Sequence, residues 1–490
     1  MLQALPRVVV AVVLIAACGK KSDVRAKEDG GAKPVAAPIA IPVVGVDRIG
    51  RFNFIYDDGR PAYEKARAAA KTKDWAAVKT QCEAALAKDP MHLDAHRLLA
   101  TALAQQGEAA AAVDHLVTAL AGDYYAYEDF ATDKDLTAFL ATPQGAAVSA
   151  VAQQIRDEYA KRVKAGLWLI GRRSPFRWPD KPGVQYAYSR GEVYAFDRDS
   201  KRFFRITHTD HQVIAFMRTA NETAVIGFDK VDHPADGSAG SIAHPWLEVH
   251  DQDQKLVGKR VGLPAGKQLA VGYGAGDALV VGVDGAASSV DKTTGKLTKV
   301  AALPVPRAEA SLEEGHLVRV PDGVEAAWSG DPPATSQLKT AAGGTIAVPE
   351  SGQTAESSVV VAPGGARLAF STAVDPCAKD AAPSLYVADA KTGALKHLLT
   401  AKSRFDTRWL DGNTLAYEDG DGAIRIWDAT TGREALRLDE RGGLGLDVIA
   451  LSPAPLCKQA PPTAAGSGSG GVEEPLPPEE GSGGPVTAPQ

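Results

Sequence analysis

A short hairpin pattern recurs through the second part of the chain and restricts its fold more than any other feature. In each copy a strand ends in or near aspartate, a polar turn that often contains glycine follows, and a second strand begins. Such strands with turn residues between them predict antiparallel sheets. The marking aspartates are Asp197, Asp251, Asp291, Asp331, Asp389 and Asp428.

Intervals of about forty residues, with two longer ones, are typical of the blades of a β-propeller. Two segments also resemble TolB-type and WD-type (WD40-like) propellers: APGGARLAF, residues 362–370, resembles their SPDGKxLAF hairpin, and Ile426-Trp427-Asp428 resembles the WD strand. We therefore predict an all-β propeller of about six or seven blades over residues 166–457. Residues 445–453 are interpreted as the missing strand of the sheet that starts at residue 166, which would remove an exposed sheet edge.

The two long intervals contain insertions, at residues 229–245 and 374–383. Both fall between the second and third strands of a blade, so we expect them at the same face of the propeller. That face is a candidate binding surface, since loops on a rigid scaffold often carry recognition, although harmless surface insertions are an equal alternative. Five histidines near the first insertion match no metal-ligand spacing, so no metal site is predicted: His208, His211, His233, His244 and His250.

Upstream of the sheets, two alanine-rich segments align with one another at a constant offset, and each has apolar residues at helical spacing. The offset, about 34 residues, is the period of tetratricopeptide (TPR) repeats, and the segments resemble about two such units. We predict a short all-α, TPR-like domain over residues 59–165, in which further helices within 133–163 cap the stack. The resemblance implies peptide or protein binding, and a purely structural spacer is the alternative. The equivalent positions are Val78 and Ala112, Cys82 and Leu116, Ala85 and Ala119, and Asp89 and Asp123.

The amino terminus has the pattern of a secretory signal, with Arg7 before an apolar run that is too short to span a membrane. The run ends in LIAAC, which resembles the lipobox of bacterial lipoproteins. That resemblance implies cleavage of residues 1–17 and lipid, including palmitate, on Cys18; an ordinary signal peptide with an incidental cysteine is the alternative. Gly19 resembles the pattern of lipoproteins sent to an outer membrane. Residues 18–58 are predicted to be a flexible tether, and the Gly/Ser/Pro/Glu-rich residues 458–490 a disordered tail.

The remaining cysteines and the absence of motifs limit the chemistry that can be predicted. Cys377 and Cys457 would share an oxidising compartment after export and are a possible disulfide, whereas Cys82 is predicted to lie in the helical core. His92 and His96 are one helical turn apart but lack a third ligand, so we interpret them as packing or surface residues. No nucleophile elbow, phosphate loop, zinc motif or calcium loop occurs. No catalytic residue, metal or cofactor is predicted.

These features together predict a multidomain α + β protein that acts as a non-enzymatic, lipid-anchored scaffold of the bacterial cell envelope. Its expected partners are other envelope proteins, and its expected location is the outer membrane, facing the periplasm or the cell surface. A net charge of −6 gives no positive field for nucleic acid, which we exclude as a partner. Two alternatives stay open: a propeller-based enzyme or small-ligand or cofactor binder in the periplasm, and a purely structural envelope component.

Overall fold

The computed structural model places a helical region before a long series of antiparallel strands, and this order confirms the predicted succession of α and β regions. Within the described residues, no helix is both long and apolar enough to cross a membrane. The structure describes residues 48–50, 58–173, 191–209, 212–232, 240–311, 315–319, 326–329, 337–340, 345–347, 354–355, 359–374, 382–400, 406–418, 424–438 and 444–446.

Alanine-rich segments form the helices, because alanine has high helix propensity and allows close packing. Local side chains cap the start of some helices: Asp74 accepts a hydrogen bond from the Ala77 amide, and Thr142 accepts one from the Gly145 amide just before the longest described helix. The helices are α1 (Arg60–Lys71), α2 (Trp75–Lys88), α3 (Leu93–Gln105), α4 (Ala109–Gly122), α5 (Tyr124–Tyr127), α6 (Thr137–Leu140) and α7 (Pro143–Ala165), with a 3-10 turn at Glu128–Thr132.

The offset seen in the sequence is also present in the helices. Helix α2 is offset from α4 by the same interval at its first residue and at its last, so the two helices are equal in length and in phase with the repeat. The aligned apolar positions, Val78 with Ala112, Cys82 with Leu116 and Ala85 with Ala119, are all fully buried. Helix α4 packs against both α3 and α7, so α7 covers the side of α4 that the two aligned units leave open. The helical region therefore has one continuous apolar core.

The strands follow α7 without an intervening helix of comparable length in the described part of the chain. In chain order they are β1 (Leu167–Arg173), β2 (Glu192–Asp197), β3 (Arg202–Arg205), β4 (Val213–Arg218), β5 (Glu222–Asp232), β6 (Ser241–Asp251), β7 (Val261–Gly262), β8 (Gln268–Tyr273), β9 (Leu279–Val283), β10 (Ala286–Val290), β11 (Leu297–Lys299), β12 (Arg307–Ser311), β13 (Gly315–Arg319), β14 (Ala326–Ser329), β15 (Gln337–Thr340), β16 (Thr345–Ala347), β17 (Thr354–Ala355), β18 (Val360–Val361), β19 (Arg367–Ala373), β20 (Ser384–Asp389), β21 (Leu395–Thr400), β22 (Asp406–Trp409), β23 (Thr414–Glu418), β24 (Ile424–Asp428), β25 (Arg433–Leu438) and β26 (Leu444–Leu446).

Most of the described sheets follow one pattern, in which consecutive strands pair antiparallel and a marking aspartate closes the third strand. This holds for the sheets β4-β5-β6-β7, β17-β19-β20-β21 and β22-β23-β24-β25, in which Asp251, Asp389 and Asp428 end the third strand. The first sheet has the order β26-β1-β2-β3, in which Leu446 lies opposite Gly171. The pairing expected between the two ends of the β region is thus present at residues 444–446, and residues 447–453 of the predicted strand lie outside the described residues.

The hairpin pattern leads us to expect one blade for each interval between marking aspartates. Two sheets differ from this expectation. Strand β12 pairs with β8, which extends one sheet to six strands in the order β11-β10-β9-β8-β12-β13. The next sheet has three strands in the part of the chain that the structure describes, in the order β14-β15-β16. The hairpin pattern does not determine which strand the chain joins when it leaves one hairpin, so neither departure was visible in the intervals. A closed propeller and its blade number stay predictions.

Parts of the first predicted insertion and of the predicted tether belong to the folded region. In the first insertion, residues 229–232 continue β5 and residues 241–245 belong to β6, so the hairpin arms are longer than the pattern indicated. Residues 48–50, inside the predicted tether, pack on the folded region. The Gly50 amide donates to the Ala121 carbonyl over 2.8 Å, Arg202 donates to the Ile49 carbonyl over 3.1 Å, and Ile49 is buried.

Candidate functional site at the junction of helices and sheets

Helix α7 joins the helical region to the β region by crossing the turns of two hairpins. Arg162 donates a hydrogen bond over 2.8 Å to Asp197, the aspartate that marks the first hairpin. Arg156, on the same helix, reaches Asp253 in the turn of the second hairpin over 3.1 Å. These contacts lie at the end of the sheets where β6 stops, whereas β5 ends and β6 begins at the opposite end. The described helices therefore leave that opposite end of the second sheet uncovered.

Asp123 forms the polar centre of this junction. It ends α4, is 1% exposed, and accepts a hydrogen bond from Nε of Arg205 over 2.8 Å. Nε2 of His208 lies 3.2 Å from both of its carboxylate oxygens. Burial alone raises the pKa of this carboxyl, but the two basic neighbours outweigh it and lower the pKa to about 2. The carboxylate therefore stays charged and holds the helical region to the segment around β3.

Tyr159 carries the same connection into the apolar part of the junction. Its hydroxyl donates to the Arg205 carbonyl over 2.9 Å and lies 3.4 Å from Asp123. Its ring packs edge-on against Phe204 of β3, with centroids 5.0 Å apart. The apolar core of the helices continues into the first two sheets as far as Val225 and Trp246. Such a buried mixed interface fixes the two regions in one relative orientation.

The described marking aspartates act as turn-forming residues. Each accepts a hydrogen bond from a backbone amide two or three residues later, as Asp389 does from Lys391 over 3.0 Å and from Thr392 over 2.8 Å. The Thr392 amide, its hydroxyl and the Lys391 amide lower the pKa of Asp389 against the opposing effect of burial. The pattern therefore reflects turn chemistry and not a repeated catalytic group. The others are Asp197, Asp251, Asp291 and Asp428, and Asp331 lies outside the described residues.

A small cavity of about 130 Å³ lies on one face of the six-stranded sheet. Its polar wall is an ion pair between Arg307 and the buried Glu309, to which the Gln268 amide donates over 3.4 Å. Its apolar side includes Gly282 beneath Leu303, where an added Cβ would lie 2.8 Å from the leucine methyls. A cavity of this size has room for one small polar group or a few waters.

The structure shows where the predicted histidines lie. His92 is buried and caps α3 by accepting from the Ala95 amide, as expected for a packing residue. His96 does not join His92; its Nδ1 lies 2.8 Å from Nδ1 of His115 on α4, a partner that sequence reasoning missed. Among the described residues, no group of three or more His, Cys, Asp or Glu side chains is placed to hold a metal.

The histidines of the first insertion are dispersed. His208 belongs to the Asp123 junction, His250 lies 3.3 Å from Glu248 and 3.2 Å from the Gln254 carbonyl, and His244 is exposed. The remaining two members of that group, His211 and His233, lie outside the described residues.

Of the four cysteines, Cys82 lies in the part of the chain that the structure describes. Cys82 is a free, fully buried thiol in the helical core, and burial raises its pKa to about 12, so it packs as an apolar residue. The predicted lipidation site, Cys18, lies outside the described residues, as do both members of the possible disulfide, Cys377 and Cys457.

One feature of the sequence pointed to the junction around Asp123. Asp89 and Asp123 occupy aligned positions of the repeat, each directly after its helix, and both are buried.

Comparison with known proteins gives structural neighbours and no family. No family model matches the chain, and no curated protein matches it. Two similar solved structures are oligogalacturonate lyases: one in complex with manganese (14% identity, 55% of this chain, 84% of the other, TM-score 0.29) and one from Vibrio parahaemolyticus (10%, 59%, 90%, 0.30). A prolyl endopeptidase structure is similar at 13% identity over 60% of this chain and 52% of the other, with a TM-score of 0.29. Likeness at this level identifies neither family nor activity.

Proposed function

We propose that this protein is a non-enzymatic, lipid-anchored scaffold of the bacterial cell envelope. In this proposal the helical region is a TPR-like stack, the sheets form a β-propeller, and each binds an envelope protein. Lipid on Cys18 would hold the scaffold at the outer membrane, facing the periplasm or the cell surface. The lipobox-like LIAAC segment supports the anchor, and the matching offset of α2 and α4 supports the helical stack.

The observation that carries the proposal is the rigid junction around Asp123. Two recognition units that are held in one fixed geometry position their two bound partners relative to one another. Asp123, Arg205 and Tyr159 provide this fixed geometry through buried hydrogen bonds. Helix α7 lies at only one end of the first two sheets, so the end at which β5 stops is available to a second partner.

The test is cross-linking and affinity purification of the full chain from the membranes of its native host. Three variants separate the elements of the proposal: Cys18→Ala removes the anchor, Lys65→Glu with Lys71→Glu reverses charge on the exposed face of α1, and a short turn replaces residues 233–239. Lys296→Glu, on an exposed turn, serves as the matched control. We expect one partner to be lost with the α1 variant, a different one with the loop variant, and both to be retained in the control.

Either of two results would overturn the scaffold proposal. One is recovery of the protein alone from wild-type membranes. The other is a set of partners that none of the surface variants changes, since the recovered proteins would then not depend on either proposed binding surface.

A second candidate function, binding of a small ligand, is favoured by the cavity beside Arg307 and Glu309. Because the ion pair offers both a donor and an acceptor, a small carboxamide fits its chemistry better than a simple ion. Acetamide should then shift the amide NMR signals of β8 and β12, and Glu309→Gln should reduce the shift. Equal shifts with acetamide and acetate, unchanged by the substitution, would indicate non-specific solvation of the cavity.

A further inference from the structure

Two histidines on neighbouring helices face one another. Nδ1 of His96 on α3 lies 2.8 Å from Nδ1 of His115 on α4. The ring centroids are 5.0 Å apart, which is close to the largest separation that this nitrogen contact allows, so the nitrogens meet nearly head-on. This arrangement is that of a hydrogen bond, in which one nitrogen must donate and the other accept.

A third contact determines where the protons lie. Nε2 of His96 is 3.0 Å from the carbonyl of Pro90, which can only accept, so this nitrogen carries a proton. In neutral His96 the Nδ1 atom then has a lone pair and accepts from Nδ1–H of His115. One further proton can be taken up at Nε2 of His115 without loss of the contact. A second proton places hydrogens on both facing nitrogens, and the contact cannot persist.

The charges around the pair oppose the uptake of a second proton. Burial lowers the pKa of both histidines, and for His115 the charge of His96 lowers it further. Arg48 adds positive charge near His96. Asp89, after α2, and Asp114, beside His115 on α4, act in the opposite direction but with smaller effect.

The pair is also close to the point where the chain's amino-terminal segment is attached. Arg48 donates to Oγ1 of Thr118 over 2.8 Å, and Thr118 lies one helical turn after His115 on α4. The amide of Gly50 donates to the Ala121 carbonyl on the same helix. Positive charge on the histidine pair would therefore develop beside the guanidinium that holds this segment.

We propose that His96 and His115 form a proton-sensitive clasp that holds α3 to α4 and, through α4, retains residues 48–50 on the folded region. The clasp is closed with at most one added proton and opens with two. Opening separates the facing nitrogens and displaces Arg48 from Thr118, which weakens the attachment of residues 48–50 to α4, while the Arg202 hydrogen bond to the Ile49 carbonyl remains. The clasp thus controls how firmly residues 48–50 are held on α4.

The sign of the pH dependence follows from the direction of the pKa shifts. The folded state binds protons on the pair less readily than the unfolded chain, in which each histidine has its ordinary pKa near 6.5. The stabilisation is therefore complete above about pH 7 and is lost as pH falls. Below the ordinary pKa the unfolding equilibrium constant rises by about tenfold per pH unit for each proton that the folded pair excludes.

NMR titration of imidazole signals in the full chain tests the clasp directly. We expect the signals of His96 and His115 to move together in two steps, the second displaced to lower pH. His115→Gln provides the key comparison, since an amide can either donate to or accept from Nδ1 of His96, so His96 should then titrate in a single step. His397→Gln, on an exposed strand edge, is the matched control and should leave the paired steps unchanged.

Amide hydrogen exchange at Gly50 tests the consequence for the amino-terminal segment. After correction for the intrinsic effect of pH, we expect protection of this amide to decrease at least tenfold between pH 8 and pH 5 in the wild type, and to stay constant in His115→Gln. Independent single-step titration of both histidines would overturn the clasp. Paired titration with unchanged protection at Gly50 would overturn the control of the segment.

Discussion

Asp123 stabilises the junction through its charge. Its carboxylate is buried and bonded to Arg205 and His208, and the pKa of about 2 means that it is ionised at all physiological pH values. Removing one member of a buried ion pair leaves the partner without its counter-charge, which is more costly than the pair's own net contribution. A substitution of Asp123 should therefore lower the free energy of unfolding more than a substitution in a surface ion pair.

Asp123→Ala should lower the free energy of unfolding by about 3–5 kcal/mol, measured by urea denaturation at pH 7. Asp253→Ala, which removes the exposed partner of Arg156, is the control and should cost less than about 1 kcal/mol. Because the pKa of Asp123 is depressed in the folded state, its contribution is present above about pH 4 and is lost as pH falls towards 2. Equal effects of the two substitutions would show that the junction does not depend on this charge.

Asp389 tests the assignment of the marking aspartates to turn formation. Asp389→Ala removes side-chain acceptors for the Lys391 and Thr392 amides and should cost about 1 kcal/mol in thermal unfolding experiments. Asp389→Asn retains an oxygen acceptor at the same place and should be close to wild type. A loss in the asparagine variant as large as in the alanine variant would indicate a role for the charge.

At the scale of elements, the β5–β6 pair depends on a close approach that requires glycine. Gly227 on β5 lies opposite Trp246 on β6, and a Cβ at this position would lie 2.1 Å from the indole ring. Gly262 on β7 has nothing within 4 Å of the corresponding point. The two glycines belong to one sheet and differ in whether the neighbouring strand leaves room for a side chain.

Gly227→Ala should destabilise the protein by about 1–3 kcal/mol, because the indole or the strand must move to admit the methyl group. Gly262→Ala is the matched control and should change stability little. Trp fluorescence during urea denaturation measures both effects, and an unchanged midpoint for Gly227→Ala would show that Trp246 can reorient freely.

Some elements could be predicted from the sequence and others could not. The difference depends on how far apart along the chain the interacting residues lie. Helix α3 follows the three- and four-residue spacing of its own apolar side chains, such as Leu99 and Leu103, and that spacing is local. The pairing of β12 with β8 could not be predicted, because the register between distant strands leaves no mark in either strand's own pattern. The Asp123 junction was missed for the same reason: Arg205 is 82 residues away along the chain.

At the scale of the whole molecule, residues 444–446 complete the sheet that begins with β1. A chain ending at residue 443 would leave the edge of β1 unpaired, and open edges promote association. We expect this truncation to form oligomers in size-exclusion chromatography and to unfold at lower urea concentration. Truncation after Cys457 keeps β26 and is the control; indistinguishable behaviour of the two would show that this pairing contributes nothing to stability.

Strand β26 also determines when the first sheet can be completed during biosynthesis. A chain that emerges from its amino terminus presents β1 long before residues 444–446 exist, so the first sheet to appear is among the last to be finished. Until then its edge is open to other nascent chains and to chaperones. Premature termination between β1 and β26 would therefore yield a protein with a reactive edge and not a shorter working copy.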